Sequence, residues 1–246
     1  MKPIIDNFSA HATDYATFRP ESPKEIFDFL YSHTPAFDVA WDCGTGNGQV
    51  AAKLADRFGK VYGSDISSEQ LANAAKKDNI IYLNERAEQT TIPAGSVSLI
   101  TAAQALHWFD FEKYYDEVRR VAAPGALIAV WTYVWSRITP GVDMVVDKLL
   151  KIIDKHWDAE RKYVNGEYKN IDFPFREIKT PELHIIKQLS LNQFVGYLNT
   201  WSGIKNYIKM EGSNPLDAVI EELQAAWGAT DERAVTWPVF LRAGFV

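Results

Sequence analysis

A single cysteine, Cys43, occurs among the 246 residues of the chain. One cysteine excludes an intrachain disulfide and a zinc site built from cysteines, and we expect no bound metal. Because Cys43 lies in an apolar run, we expect a buried, unreactive thiol. The motifs H-E-x-x-H, G-x-S-x-G and G-x-x-x-x-G-K-[ST] are also absent, so zinc peptidase, serine hydrolase and P-loop chemistry have no support.

Basic charge is scarce. The 26 lysines and arginines are outnumbered by 32 acidic residues, and the formal net charge is −6. A protein that binds a nucleic-acid duplex needs a basic surface to displace counterions from the phosphates. We therefore expect no nucleic-acid partner, and we interpret local basic pairs such as Arg161-Lys162 as solvated helix faces.

Long apolar runs are missing as well. The longest run near the middle of the chain, Ala126 to Trp131, is too short to span a bilayer. Residues 1–20 lack the apolar centre of a secretory signal. We therefore expect no membrane association and a cytoplasmic location. No internal repeat or low-complexity segment is present.

The chain instead alternates short apolar segments with amphipathic ones, and 47% of its residues are hydrophobic. Helices are predicted between the apolar segments, for example over residues 49–58 and 111–121. Strands that alternate with helices at this spacing predict a parallel sheet covered by helices on both faces. The predicted strands cover residues 37–43, 60–65, 80–83, 97–103, 126–133, 183–189 and 235–243.

Three alternating glycines follow the first predicted strand, in the segment Asp42-Cys43-Gly44-Thr45-Gly46-Asn47-Gly48. Ligands of open α/β sheets bind beyond the carboxyl ends of the strands, where a loop meets a helix. Glycine permits positive φ angles there and lets a ligand approach the backbone. Asp65, at the end of the second predicted strand, can accept hydrogen bonds from the hydroxyls of a ribose. The alternative is a loop that is rich in glycine only because it turns tightly.

A dinucleotide is the rival ligand for such a loop. Its fingerprint, G-x-G-x-x-G, requires glycine where this chain has Gln49, and Asp42 would lie beside a pyrophosphate of the same charge. S-adenosylmethionine (SAM) has no phosphate, and its ammonium group suits a carboxylate beside the loop. The spacing therefore favours SAM over a nicotinamide dinucleotide.

These features resemble the cofactor site of class I SAM-dependent methyltransferases. The resemblance extends to the type 11 group of that family through Ala87-Glu88 and the segment 101–109, Thr-Ala-Ala-Gln-Ala-Leu-His-Trp-Phe. The N-terminal Tyr15, Phe18, Arg19 and Pro20 and the closing segment from Trp237 are similar to members related to trans-aconitate methyltransferase. The resemblance implies a Rossmann-like, seven-stranded, mostly parallel α/β sheet, with an insertion of helices and loops over its active edge.

The resemblance also implies where SAM is bound. Its methionine end is expected on the glycine loop, its ribose on the acid that follows the second strand, and its adenine next to the residues beyond. The implied residues are, in that order, Asp42, Gly44, Thr45, Gly46, Asp65, Ile66, Ala87 and Glu88. Many relatives carry an acid just before Ala87 that accepts from the adenine amine. This chain has Arg86 there, so Glu88 or the backbone is expected to meet the amine instead.

By the same resemblance, Gln104 borders the sulfonium, and His107 and Trp108 face the methyl acceptor. Gln104 and His107 are the catalytic candidates. A hydroxyl acceptor benefits from a general base, for which His107 is the best candidate, whereas a carboxylate acceptor needs none. The alternative for His107 is a structural histidine that supports the loop after the fourth strand.

Further residues are candidates by position. Arg19 offers a guanidinium to a carboxylate, either that of SAM or that of the acceptor, and Tyr15 suits a lid over the cofactor. Trp135 is predicted to line an apolar pocket with Trp157 and Tyr163, which would favour an aromatic or lipophilic acceptor. A surface salt bridge for Arg19 and ordinary core packing for the aromatic residues are the alternatives.

The expected protein is a single-domain methyltransferase that moves a methyl group from SAM to a small molecule, at a carboxylate or hydroxyl oxygen, and releases S-adenosylhomocysteine (SAH). Two alternatives are a methyltransferase that acts on protein or RNA and a SAM-binding module without transferase activity. The sequence carries no signal for an oligomeric state. The predicted parts are an N-terminal arm (1–35), a SAM-binding core (36–135), a substrate-side insertion (136–181) and the remaining helices and closing strands (182–246).

Overall fold

The computed structural model of the protein describes residues 18–246. The strands within this range are β1 Val39–Cys43, β2 Lys60–Ser64, β3 Ile80–Leu83, β4 Val97–Ala103, β5 Ala122–Tyr133, β6 Arg176–Ile178, β7 Leu183–Ser190 and β8 Glu232–Phe245. The α-helices are α1 Lys24–His33, α2 Gln49–Leu54, α3 Ser68–Ala72, α4 Phe111–Val121, α5 Pro140–Ile152, α6 Arg161–Asn165, α7 Leu191–Asn199, α8 Ser202–Glu211 and α9 Ile220–Trp227.

The strands form one mixed, mostly parallel sheet in the order β3-β2-β1-β4-β5-β8-β6, and β7 also pairs with β8. Strands β1 to β5 run parallel, whereas β8 is antiparallel to β5, β6 and β7. The predicted α/β fold class is confirmed. The described sheet has eight strands, one more than predicted, because β6 pairs only three residues with β8 and so short a segment shows no periodic pattern.

Successive residues of the central strands pack on opposite faces of the sheet. In β4, Leu99 belongs to the apolar core that includes Ile26 of α1, whereas Ile100 belongs to the core that includes Val118 of α4. Both faces of the strand are therefore buried. This explains why the central strands are continuous apolar runs rather than alternating ones.

The parallel strands bring their carboxyl ends to one edge of the sheet. Cys43 at the end of β1 lies opposite Ser64 at the end of β2, and Asp42 lies opposite Thr101 of β4. Ala103 at the end of β4 lies opposite Trp131 of β5. The loops that follow these strands are consequently neighbours, although they are far apart in the sequence.

The long strand β8 connects the C-terminal part of the chain to this sheet. Its first half pairs with β7 from Glu232 to Val239, and its second half pairs with β5 from Val239 to Phe245. Helix α5 packs against α9. No helix within residues 18–246 has both the length and the apolar character needed to cross a membrane.

Candidate functional site

A cavity of about 280 Å³ opens at the carboxyl edge of the parallel strands. The loop after β1 forms one wall and the loop after β2 a second, while residues that follow β4 and end β5 close it. This is the edge at which ligands of open α/β sheets bind. The cavity contains most of the residues that the sequence singled out, and each is described below.

The glycine loop adopts a backbone that other residues disfavour. Gly44 has a φ of +63° and Gly46 a φ of +54°, both in the left-handed region. A Cβ on Gly44 would lie 2.6 Å from the Cβ of Ala105, so the loop is packed directly against the segment after β4. A Cβ on Gly46 would meet only Oε1 of Gln70, at 4.0 Å, and Gly46 lines the cavity. The bare backbone at Gly46 therefore leaves room for a ligand.

Asp42, the penultimate residue of β1, is a buried carboxylate, 1% exposed, that still borders the cavity. The hydroxyl of Thr45 donates to its Oδ2 at 2.5 Å, and the hydroxyl of Thr101 donates to its Oδ1 at 2.8 Å. Burial raises the pKa of Asp42 from 3.8 to about 6, against the opposing effect of these two hydrogen bonds. At neutral pH the cavity thus holds a desolvated negative charge, which attracts an ammonium group.

Asp65 follows β2 and holds the glycine loop from the other side. Its Oδ2 accepts from the backbone N–H of Gly46 at 2.9 Å, and its Oδ1 accepts from the N–H of Ser67 at 2.9 Å. Beside it, Ile66 exposes 41% of its surface along the cavity wall. The structure therefore brings together a carboxylate and an apolar surface in the order expected for a ribose and an adenine.

In the part of the cavity predicted to hold adenine, the acidic side chain of Glu88 forms an ion pair with Arg86. Arg86 lies 3.3 Å from Glu88 through Nε and Oε2, and the other oxygen of Glu88 accepts from the backbone N–H of Asp110 at 2.9 Å. Ala87, between them, is buried, and all three residues from 86 to 88 line the cavity. Arg86 is thus held by Glu88, whose two carboxylate oxygens are both engaged by protein groups.

Gln104 follows β4 in a strained conformation, with a φ of +52° that is uncommon outside glycine. Its backbone N–H donates to the carbonyl of Trp131 at 2.9 Å, and its side-chain amide donates to the carbonyl of Tyr133 at 3.2 Å. The hydroxyl of Thr132 donates to its Oε1. Backbone strain that the surrounding contacts maintain is typical of functional positions. Gln104 is also one of the residues that line the cavity.

His107 and Trp108 have different positions. Trp108 lines the cavity, but His107 is not among its lining residues. His107 is buried, and its Nδ1 lies 2.8 Å from the hydroxyl of Tyr168, in a hydrogen bond that occupies the ring. Tyr168 itself sits at a φ of +60°. This geometry favours the structural alternative for His107, because the ring is buried outside the cavity lining and its Nδ1 is engaged by Tyr168.

Trp135 is also outside the cavity lining. Its ring packs at 5.4 Å from Trp157 and 5.2 Å from Trp201, while Tyr163 packs on Phe111 at 5.1 Å. The apolar pocket predicted from these aromatic residues is therefore filled by their own contacts.

Tyr133 and Glu160 are among the cavity residues that the sequence did not indicate. Tyr133 ends β5 at the active edge, and its position as the last residue of the strongest predicted strand could have indicated it. Arg19, which was predicted, lines the cavity and donates from Nη1 to the Tyr133 hydroxyl at 3.1 Å and from Nη2 to the Thr200 carbonyl at 3.1 Å. Tyr15 lies outside the described residues. No group of three or more metal-ligating side chains is found within residues 18–246.

We expect His107 and Tyr168 to be energetically coupled by about 1 kcal/mol, as for a buried hydrogen bond. The measurement is a double-mutant cycle of His107→Phe, Tyr168→Phe and the double variant in urea unfolding. If the losses in the free energy of unfolding of the two single variants simply add in the double variant, the contact does not hold the His107 ring in place.

The arrangement fits SAM at both ends of the molecule. Asp42 offers a charge to the ammonium, the open side of Gly46 admits a ligand against the backbone, and Asp65 and Ile66 offer a carboxylate and an apolar surface to the nucleoside. The glycine loop bears carboxylates on both sides, which disfavours a pyrophosphate ligand.

Similarity to known proteins agrees with this geometry. Residues 41–130 match the family model of a methyltransferase domain. A Dictyostelium discoideum protein named as a methyltransferase is 35% identical over 245 residues, which cover 96% of this chain and 93% of the relative. A Saccharomyces cerevisiae protein named as a SAM-dependent methyltransferase is 22% identical over 255 residues, covering 88% of this chain and 87% of the relative.

A solved structure from Anaeromyxobacter dehalogenans, described as a type II methyltransferase, has the same fold. Its TM-score is 0.87 at 39% identity, and the match covers 93% of this chain and 98% of that one. The similarity therefore extends over nearly the whole chain, including the segment after β5.

Proposed function

The chain belongs to the class I SAM-dependent methyltransferases, and from that premise we propose that its cavity binds SAM along the glycine loop and presents the methyl group to an oxygen of a small molecule. The observation that carries the proposal is the pair of carboxylates on either side of one loop. Asp42 lies near the end of β1, Asp65 follows β2, and the glycines lie between them on the cavity wall. The two acids suit the two polar ends of the cofactor.

When bound, SAM supplies a methyl group on a sulfonium, which passes to the acceptor oxygen while the electron pair of the broken C–S bond stays on sulfur. The residues of the chain orient the reactants for this step and exclude water from it. Such orientation can lower a barrier by up to about 7–11 kcal/mol. Gln104, fixed by its contacts with Trp131 and Tyr133, is proposed to border the sulfonium.

Two features support a small acceptor over a macromolecule. The aromatic side chains Trp108, Phe109, Trp131 and Tyr133 close the cavity around the expected site of transfer. The net charge of −6 disfavours a nucleic-acid substrate. Because His107 is not among the residues that line the cavity, we favour an acceptor oxygen that needs no proton removal, such as a carboxylate.

We predict that Asp65→Asn weakens SAH binding by about tenfold or more, through loss of charge-assisted hydrogen bonds to the ribose. Calorimetric titration of purified protein measures this loss. Asp56→Asn is the matched control, since Asp56 pairs with Lys77 on the surface, away from the cavity. An analogue of SAH without the ribose 2′-hydroxyl distinguishes the loss of a direct contact from damage to the loop. Removing this hydroxyl should weaken binding to the wild type more than binding to Asp65→Asn.

Equal SAH affinity in wild type and Asp65→Asn would contradict the proposed ribose contact. No binding of SAM or SAH by folded wild-type protein would overturn the proposed cofactor site. Binding without turnover on any acceptor would instead identify a SAM-binding module without transferase activity.

A further inference from the structure

Arg161, the first residue of α6, lies between two tryptophan rings. Its guanidinium carbon is 4.0 Å from the ring centre of Trp135 and 4.8 Å from that of Trp157. Both rings also pack on Trp201, so the guanidinium is held by a rigid aromatic cluster. The solvated helix face predicted for this residue is therefore wrong: the arginine turns inward because the tryptophans accept its flat face.

The charge of Arg161 has no counterion among residues 18–246. Its Nε donates to Oδ1 of Asn165 at 3.0 Å, and its terminal amino groups donate no hydrogen bond to described residues. Burial lowers the pKa of the guanidinium to about 10, so it stays cationic at neutral pH. By contrast, the exposed Arg120 and the half-buried Arg242 each pair with a glutamate. The side chain is half-buried, and a partly desolvated charge without a counterion is costly to keep unless a ligand completes it.

Arg161 is not itself a lining residue of the cavity, but it directly follows Glu160, which is. Arg161 interacts electrostatically with Arg19, Tyr133, Tyr168 and Tyr197. Arg19 and Tyr133 line the cavity and are hydrogen-bonded to each other. Two guanidinium groups thus act on the same region, where their positive charges disfavour a cationic ligand and favour an anionic one.

The neighbouring acid does not neutralise the site. Glu160 precedes Arg161 and lines the cavity, but no ion pair joins the two side chains. The edge of the Arg161 guanidinium, with its paired N–H groups, is left for a planar, bidentate partner.

We propose that Arg161 is a specificity-determining residue, which binds a carboxylate of the methyl acceptor while Trp135 and Trp157 hold its guanidinium in place. The inference rests on the proposed function and deepens it, because it names the chemical class of the acceptor. The carboxylate held by Arg161 positions the acceptor, and the step at the methyl group needs no proton from this residue.

The test compares acids with their amides on protein saturated with SAH. The probes are phenylacetate, cinnamate and succinate, each against its uncharged amide, followed by calorimetry and by the fluorescence of the tryptophans around Arg161. We expect at least one acid to bind about tenfold more tightly than its amide, as for a charge-assisted hydrogen bond pair. Arg161→Met should abolish that preference, and Arg161→Lys should retain only part of it.

Arg57→Met is the matched control. The Arg57 guanidinium also lies over two rings, at 5.5 Å from Tyr31 and 5.3 Å from Phe37, but away from the cavity. It should preserve the preference for acids. SAH affinity should be the same in all variants, since the proposal concerns the carboxylate of the acceptor and not that of the cofactor.

Three outcomes overturn the inference. Wild-type protein without any preference for acids would refute a carboxylate site. A preference that persists in Arg161→Met and Arg161→Lys would assign it to other residues. A selective loss of SAH affinity in Arg161→Met would assign the arginine to the carboxylate of the cofactor. If wild type does not bind SAH at all, the proposed function fails first, and that result is distinct from the other three.

Discussion

Replacing Gly46 by alanine is expected to weaken SAH binding by about a hundredfold while the protein remains folded. The Cβ would find no protein atom closer than Oε1 of Gln70 at 4.0 Å, and Gly46 lines the cavity, so the methyl group takes space proposed for the ligand. An overpacked contact costs about 1–3 kcal/mol, and a left-handed alanine adds about 1–2 kcal/mol of strain to the loop. Calorimetry with SAH and thermal unfolding measure the two effects separately.

Gly95→Ala is the control for backbone strain. Gly95 has a φ of +64° and no atom within 4 Å of an added Cβ, so its alanine variant carries the same strain away from the cavity. Both variants should lose similar stability, and only Gly46→Ala should lose affinity. Wild-type SAH affinity in Gly46→Ala would show that the ligand does not approach the backbone at this residue.

Asp42→Asn is expected to stabilise the protein at neutral pH and to weaken its cofactor binding. Burial raises the pKa of Asp42 from 3.8 to about 6, so the ionised form opposes folding above that pH. A shift of about two pKa units corresponds to about 3 kcal/mol at most. Relative to Asp42→Asn, the wild type should therefore lose stability as the pH rises from about 4 through about 6, and the difference should level off above about 7.

The two effects of Asp42→Asn have separate readouts. Urea unfolding from pH 4 to pH 8 gives the stability difference, which should be small at the acidic end. SAH binding at pH 7 should fall by about tenfold or more because the charge opposite the ammonium is removed. Binding of 5′-methylthioadenosine, which has no ammonium, should not change. A stability difference that is independent of pH would refute the raised pKa.

The fold class and the cofactor loop are predictable from the sequence because both depend on local patterns. Strands and helices follow from the period of apolar residues over short windows. The loop from Asp42 to Gly48 is recognisable because its backbone requires glycine at defined positions, as the φ angles of Gly44 and Gly46 show. The position of Asp65 beside this loop is predictable as well, since parallel neighbouring strands end at one edge of the sheet.

The acceptor side was not predictable in the same way. The sequence offered His107 as a candidate base and Trp135 as a candidate pocket wall, each with a structural alternative, but the partners of both side chains are distant in the chain. Tyr168 lies 61 residues after His107 and bonds its ring. Trp135 meets Trp201 and the guanidinium of Arg161, which local pattern assigned to a solvated face.

The sequence by itself determined the α/β sheet, the edge at which a ligand binds and the glycine loop with its two acids. Only the tertiary structure decided which side chains face the cavity, because that depends on contacts between segments that pack together after the sheet has formed. Tyr133 lines the cavity and His107 does not, although Tyr133 ends β5 and His107 follows the neighbouring strand β4. The role of Arg161 is likewise not predictable from its own segment, since it depends on the aromatic rings that hold the guanidinium and on the lack of a counterion among residues 18–246.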